Sequence, residues 1–100
     1  MLIVDGKSES LVILVEECSE VIQAISKIHR WGPSSDNNGN NLLTNIDHLI
    51  VELGDLTAMI DIVANQLGID PQLIKHHAQL KTIKLHQNSK HLTHYTTTDV

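Results

Sequence analysis

Phenylalanine is absent from this chain of 100 residues, and one tryptophan and one tyrosine are its only other ring hydrophobes. A core without aromatic plates has to be aliphatic. A chain this short buries a modest share of its surface, so self-association is the expectation from size alone. Cysteine is as scarce. Cys18 stands alone, which excludes an intramolecular disulfide, and its place in an apolar helical stripe predicts a small buried hydrophobe, not a nucleophile. No run of about 18 apolar residues occurs that would span a bilayer. The start Met1-Leu2-Ile3-Val4-Asp5 lacks the cationic stretch of a secretory leader, so the expected location is the cytoplasm. Several catalytic motifs are missing too. No G-x-x-x-x-G-K-[ST] is present to cradle phosphates, and no H-x-x-x-H or H-E-x-x-H points to zinc. Glu-x-x-His, which a di-iron carboxylate bundle needs, never occurs.

Acids are abundant, and they are unevenly spread. Met1 to Gln66 carries ten acids against three bases (Lys7, Lys27, Arg30), whereas Leu67 to Val100 carries two acids against four lysines. The basic part, with five of the seven histidines, is too weak a patch to suggest a nucleic-acid polymer as partner. Within the acidic part, Glu16-Glu17-Cys18-Ser19-Glu20 and Glu52-Leu53-Gly54-Asp55 each set two carboxylates three residues apart, on one face of a helix. Glu17 has Leu14 and Val21 as helical neighbours, and Glu52 has Leu49 and Leu56. Both acids therefore border stripes that a packed bundle would bury. Unpartnered buried carboxylates are costly, so four such acids call for cations between them. An all-oxygen ligand set suits a hard ion, Mg²⁺ or Mn²⁺.

Helical periodicity places these pairs in an all-α chain. Ser8 is the expected N-cap of a first helix in which Leu11, Leu14/Val15, Cys18, Val21/Ile22, Ile25 and Ile28 repeat to about His29. Ile13 and Ala24 widen its apolar surface, as suits a helix contacted from more than one side. Gly32-Pro33 stops it. Residues 33–41, PSSDNNGNN, read as a loop, expected to be mobile without ligand. Thr44-Asn45-Ile46-Asp47 has capping-box spacing and opens a second helix, with Leu49, Leu53, Leu56, Ile60, Val63 and Leu67 as its core face. Gly68 follows its C-cap. Asp70 and Pro71 restart a third helix, to about Gln87. The expected organisation is a helical domain over 1–87 and a frayed or disordered tail over 88–100.

In this order of elements, Glu-Glu-x-x-Glu in the first helix, a Gly-containing loop, and Glu-Leu-Gly-Asp in the second resemble the all-α nucleoside triphosphate pyrophosphohydrolases, the MazG-like superfamily. The wording from Val15 to Gly32 is similar to its short phage and bacterial members, and the likeness runs from about Leu11 to Leu67. It implies a four-helix-bundle-like core built by dimers or tetramers. It further implies Mg²⁺ held by Glu17, Glu20, Glu52 and Asp55 with Glu16 as accessory acid, and cleavage of a nucleoside triphosphate to the monophosphate and pyrophosphate.

That chemistry needs no covalent nucleophile. Attack of water on the α-phosphorus builds negative charge that a metal neutralises, while one acid orients or deprotonates the water. Without a P-loop, the phosphates would rest on metal and a few bases: Lys27 and Arg30 at the end of the first helix, Lys81 and Lys84 on the third. Trp31 is the one stacking-capable ring near the loop; packing at the helix end and stacking on a base compete as its role. The lysines compete with plain solvated charges, Glu16 with a solvent-facing acid, and Asp61 reads as a surface or salt-bridging residue. The rival reading of the whole is a non-catalytic helical oligomer that keeps a metal or nucleotide site as a binding or regulatory module. A binding-only protein would not need the acid quartet in full.

Overall fold

The computed structural model describes residues 3–36 and 43–92, and among them the chain is all-α, with three helices and no strand. Helix α1 spans Gly6–Trp31, α2 Asn45–Leu67 and α3 Pro71–Asn88. The chain divides into two compact units, residues 1–67 and 68–100.

The start of α1 corrects the expected cap. Asp5, not Ser8, is the N-cap: its carboxylate accepts from the Ser8 N–H at 2.9 Å, and the Ser8 hydroxyl accepts from the Asp5 N–H at 3.0 Å. Ser8 is thus the reciprocating residue of a capping box. These bonds hold the Asp5 carboxyl below its ordinary range. At the other end α1 runs two residues beyond His29 and stops at Gly32, whose φ of 86° and ψ of 161° lie in a region open essentially to glycine alone. Its N–H still donates to the Ile28 carbonyl at 2.8 Å.

The Thr44–Asp47 box forms as its spacing predicts. The Asp47 N–H donates to Thr44 Oγ1 at 3.2 Å, and the Thr44 N–H donates to the Asp47 carboxylate at 3.0 Å. Loop carbonyls satisfy two more donors at the opening of α2: Asn45 N–H to Ser35 at 2.8 Å and Ile46 N–H to Pro33 at 3.0 Å. Asp70 caps α3 by accepting from the Gln72 N–H at 2.9 Å, with Pro71 in the first turn, as expected. The expectations of a mobile loop and a frayed tail fall largely on residues 37–42 and 93–100, which lie outside the described residues.

Two contacts fix α1 and α2 as an antiparallel hairpin. At one end the Asn45 carboxamide donates to the carbonyls of Gly32 at 3.0 Å and Lys27 at 3.4 Å. At the other, Gly6 faces Gln66 so closely that a Cβ there would stand 3.1 Å from Gln66 Oε1. The seam between these ends buries Ser10 and Ala24 on α1, and Asn45, Val63 and Ala64 on α2. Small residues let the two backbones approach.

The apolar residues form more than this seam. Val15 and Ile22 on α1 are 66% and 67% exposed, and Ile50 on α2 is 62% exposed. Leu53, Ile60 and Leu67, expected on the core face of α2, are exposed as well. Cys18 corrects its expected burial: it is exposed, because it sits about 100° round the helix from Glu17, off the line that meets α2. In the second unit, α3 has no buried residue, and Leu73 and Ile83 lie open.

Candidate metal centre

The hairpin register determines which acids meet. Lys27 and Asn45 touch at one end of the seam, and ten residues inward from each lie Glu17 and Asp55. Glu52 stands one turn from Asp55 on the same face of α2. Oxygens of Glu17, Glu52 and Asp55 converge within 4.8 Å of one another. Glu17 and Glu52 are half-buried and Asp55 is exposed, so the cluster opens to solvent on one side.

Glu17 carries the electrostatic load. One of its oxygens, Oε2, is buried without a hydrogen-bond partner. Its carboxyl is pushed above the ordinary range first by desolvation, then by the charges of Asp55, Glu52, Glu20 and Glu16 in that order. A carboxylate surrounded by four like charges, with an unmet acceptor turned inward, is stabilised by a cation. Three oxygen donors fit a hard divalent ion, which would leave room for water or phosphate oxygens in its remaining positions.

The other expected site residues fall in different places. Glu16 and Glu20 are exposed, outside the converging trio but close enough to raise the Glu17 carboxyl. Lys27 is exposed on α1. The Arg30 guanidinium lies over the Trp31 ring, 4.4 Å from its centroid, so one face of the indole is already covered by a cation. Lys81 and Lys84 are on α3, where with His77, Leu80, Ile83 and Gln87 they line a surface hollow of about 510 Å³.

Two residues not singled out as site candidates continue the α2 line of Glu52 and Asp55 toward the loop. His48 and Asn45 precede Glu52 by four and seven residues, so all four share one helix face. Asn45 Oδ1 and His48 Nε2 are both buried without a hydrogen-bond partner. The signal was present in the 45-48-52-55 spacing, but an asparagine beside a capping threonine reads as part of the cap.

A family model, MazG nucleotide pyrophosphohydrolase domain, matches residues 6–93. The chain belongs to that family. The match takes in all three helices of the MazG domain, including α3, which lies beyond the stretch where the sequence likeness was traced. No curated protein and no solved structure matches the chain. Among the described residues no helix is long and apolar enough to cross a membrane.

Proposed function

We propose that the MazG domain hydrolyses a nucleoside or deoxynucleoside triphosphate to the monophosphate and pyrophosphate in a Mg²⁺-dependent reaction, with Glu17, Glu52 and Asp55 as metal ligands. The observation that carries this is the convergence of those three carboxylates around the unpartnered Glu17 Oε2. Mg²⁺ or Mn²⁺ bound there would supply Lewis-acid neutralisation of phosphate charge. The chain's own residues do the rest. Glu17 and Glu52, half-buried on packed helices, keep their carboxylates in fixed positions. Glu20 and Glu16, exposed beside them, are placed to accept a proton from an attacking water or to complete the ligand set.

Of Lys27 and Arg30, Lys27 lies nearer the acids, ten residues from Glu17 along α1. Trp31 and Arg30 stand further off: Trp31 is eleven residues beyond Glu20, about 17 Å along the axis. A nucleoside whose α-phosphate lies at the acids does not span that distance, which favours the packing role for Trp31 within its own chain. Lys81 and Lys84 remain candidates for phosphate contacts in the assembled protein.

The active form in this proposal is a homo-oligomer whose hairpins combine into a four-helix-bundle-like core. The exposed Val15, Ile22 and Ile50 support it, since a hairpin that buries mainly Ala24, Val63 and Ala64 has too little interior to be stable alone. Light scattering across a dilution series is expected to find no folded monomer. A compact monomer at micromolar concentration refutes the oligomer.

The function is tested by products and by one conservative change. Wild-type protein with Mg²⁺ is expected to release pyrophosphate and monophosphate from at least one member of a panel of normal and damaged nucleotides. Glu52→Gln keeps volume but removes a hard anionic ligand. Turnover is expected to fall at least about 100-fold, on the scale of 3 kcal/mol for a lost transition-state charge interaction, with the fold retained. Orthophosphate and diphosphate as products contradict attack at the α-phosphorus. Nucleotide binding with equal, negligible turnover in both proteins selects the binding-module alternative.

A further inference from the structure

On the side of the acids away from the loop, the seam borders a solvent-open surface cavity of about 310 Å³ lined by Gly6, Glu9, Ser10, Ile13, Met59, Ile62 and Gln66. We propose that this cavity receives the nucleobase, and that its far wall selects bases bearing an exocyclic amine over uracil and thymine. The inference rests on the acids being the triphosphate-metal site. It adds where the nucleoside lies and what is read.

Ile13 is one turn from Glu17 and Met59 one turn from Asp55, both on the seam line, so the near wall begins about 6 Å along the axis from the acids. Ser10 and Ile62 are seven residues from the same two acids, about 10 Å away. A base joined through its sugar to an α-phosphate at the carboxylates falls in this interval. The volume sits at the lower end of small-ligand cavities, about 300 Å³, and so suits one flat heterocycle.

Ile13, Met59 and Ile62 offer apolar walls, and a thioether packs well on an aromatic ring. At the far wall the hydrogen-bonding groups are unbalanced. The Ser10 hydroxyl already donates to the Lys7 carbonyl at 3.0 Å, so it can only accept. Ionised Glu9 also only accepts. Gln66, whose amide oxygen lies 3.1 Å from where a Cβ on Gly6 would stand, brings the N–H donor group. An acceptor-rich wall matches a ligand edge rich in donors. The amines of cytosine, adenine and guanine provide that edge, as when a carboxylate accepts from cytosine N4. Uracil and thymine turn carbonyl oxygens toward it instead.

Matched pairs test this without reliance on turnover. Dissociation constants are measured with Mg²⁺ and non-hydrolysable α,β-methylene analogues of dCTP, dUTP, dATP and dITP, each pair exchanging one amine for an oxo group. Wild-type protein is expected to prefer the amine-bearing partner at least about tenfold, the scale of a hydrogen-bonding site that leaves polar groups unpaired with the wrong ligand. Glu9→Gln, which can donate, is expected to bring both ratios toward one. Ile62→Trp, which fills the cavity, is expected to abolish binding of all four while the Mg²⁺-induced rise in melting temperature persists. Unchanged ratios in Glu9→Gln, unchanged affinity in Ile62→Trp, or a changed oligomeric state in Ile62→Trp overturns the cavity assignment and leaves the metal site standing. Failure of every analogue to bind wild-type protein overturns both.

Discussion

The two ends of the α1–α2 seam are built on opposite principles. At the loop end a buried asparagine, 1% exposed, ties the last turn of α1 to the first turn of α2 through two carbonyls, with small Ala24 beside it in the packed seam. At the chain-end side the same helical spacing runs through Ile13, Met59 and Ile62, which line an open hollow beside the buried Ser10, Val63 and Ala64. The acids stand between the two ends. Asn45 ties one end and the close approach of Gly6 to Gln66 sets the other, so the register of the carboxylates is held from both sides and the hollow lies between the acids and the Gly6–Gln66 contact.

Substitution separates the two ends most sharply. Asn45→Leu removes both bonds that Asn45 donates, to Gly32 at 3.0 Å and Lys27 at 3.4 Å. A side-chain hydrogen bond contributes about 0.5–1.5 kcal/mol, so a loss of about 2 kcal/mol is expected in urea melts at fixed protein concentration. Ile62→Ala at the open end is expected to cost about 1 kcal/mol or less, since Ile62 is 46% exposed and exposed truncations cost little. Equal losses would erase the distinction between the two ends.

A smaller effect lies in the pH dependence of the metal-free protein. The Glu17 carboxyl is raised in the fold by desolvation and by Asp55, Glu52, Glu20 and Glu16. The native state therefore holds this proton more tightly than the unfolded chain does. Its contribution to stability is present at low pH and is lost as pH rises from the ordinary carboxylate range through the raised value. Melting temperature in EDTA is expected to fall across that window, and Glu17→Gln is expected to flatten the slope. A wild-type slope of the opposite sign there would contradict the crowding.

Much of this was legible in the residues, for reasons that differ by element. The acid pairs could be read because two carboxylates three residues apart beside Leu14, Val21, Leu49 and Leu56 are anomalous in a surface helix. The caps at Thr44 and Asp70 could be read because their bonds are local. Asp5 is masked as a cap by Ser8, which satisfies the same preference three residues later and shares one box with it. The exposed Leu53, Ile60 and Cys18 could not be foreseen, since apolar periodicity marks a face to be covered without saying what covers it. The convergence of Glu17, Glu52 and Asp55, with Glu20 outside it, depends on the hairpin register. That register is fixed by Asn45, which in sequence reads as part of a cap, and by Gly6, which carries no metal signal.

The central claim is that the carboxylates of the seam are a cation site. Melting curves in EDTA and in millimolar Mg²⁺, at matched ionic strength and protein concentration, test it most directly, because an ion bound to the native state alone raises stability by mass action. The account predicts a higher melting temperature with Mg²⁺ for wild-type protein and a reduced rise for Glu52→Gln. Identical curves for wild-type protein in the two buffers would contradict it.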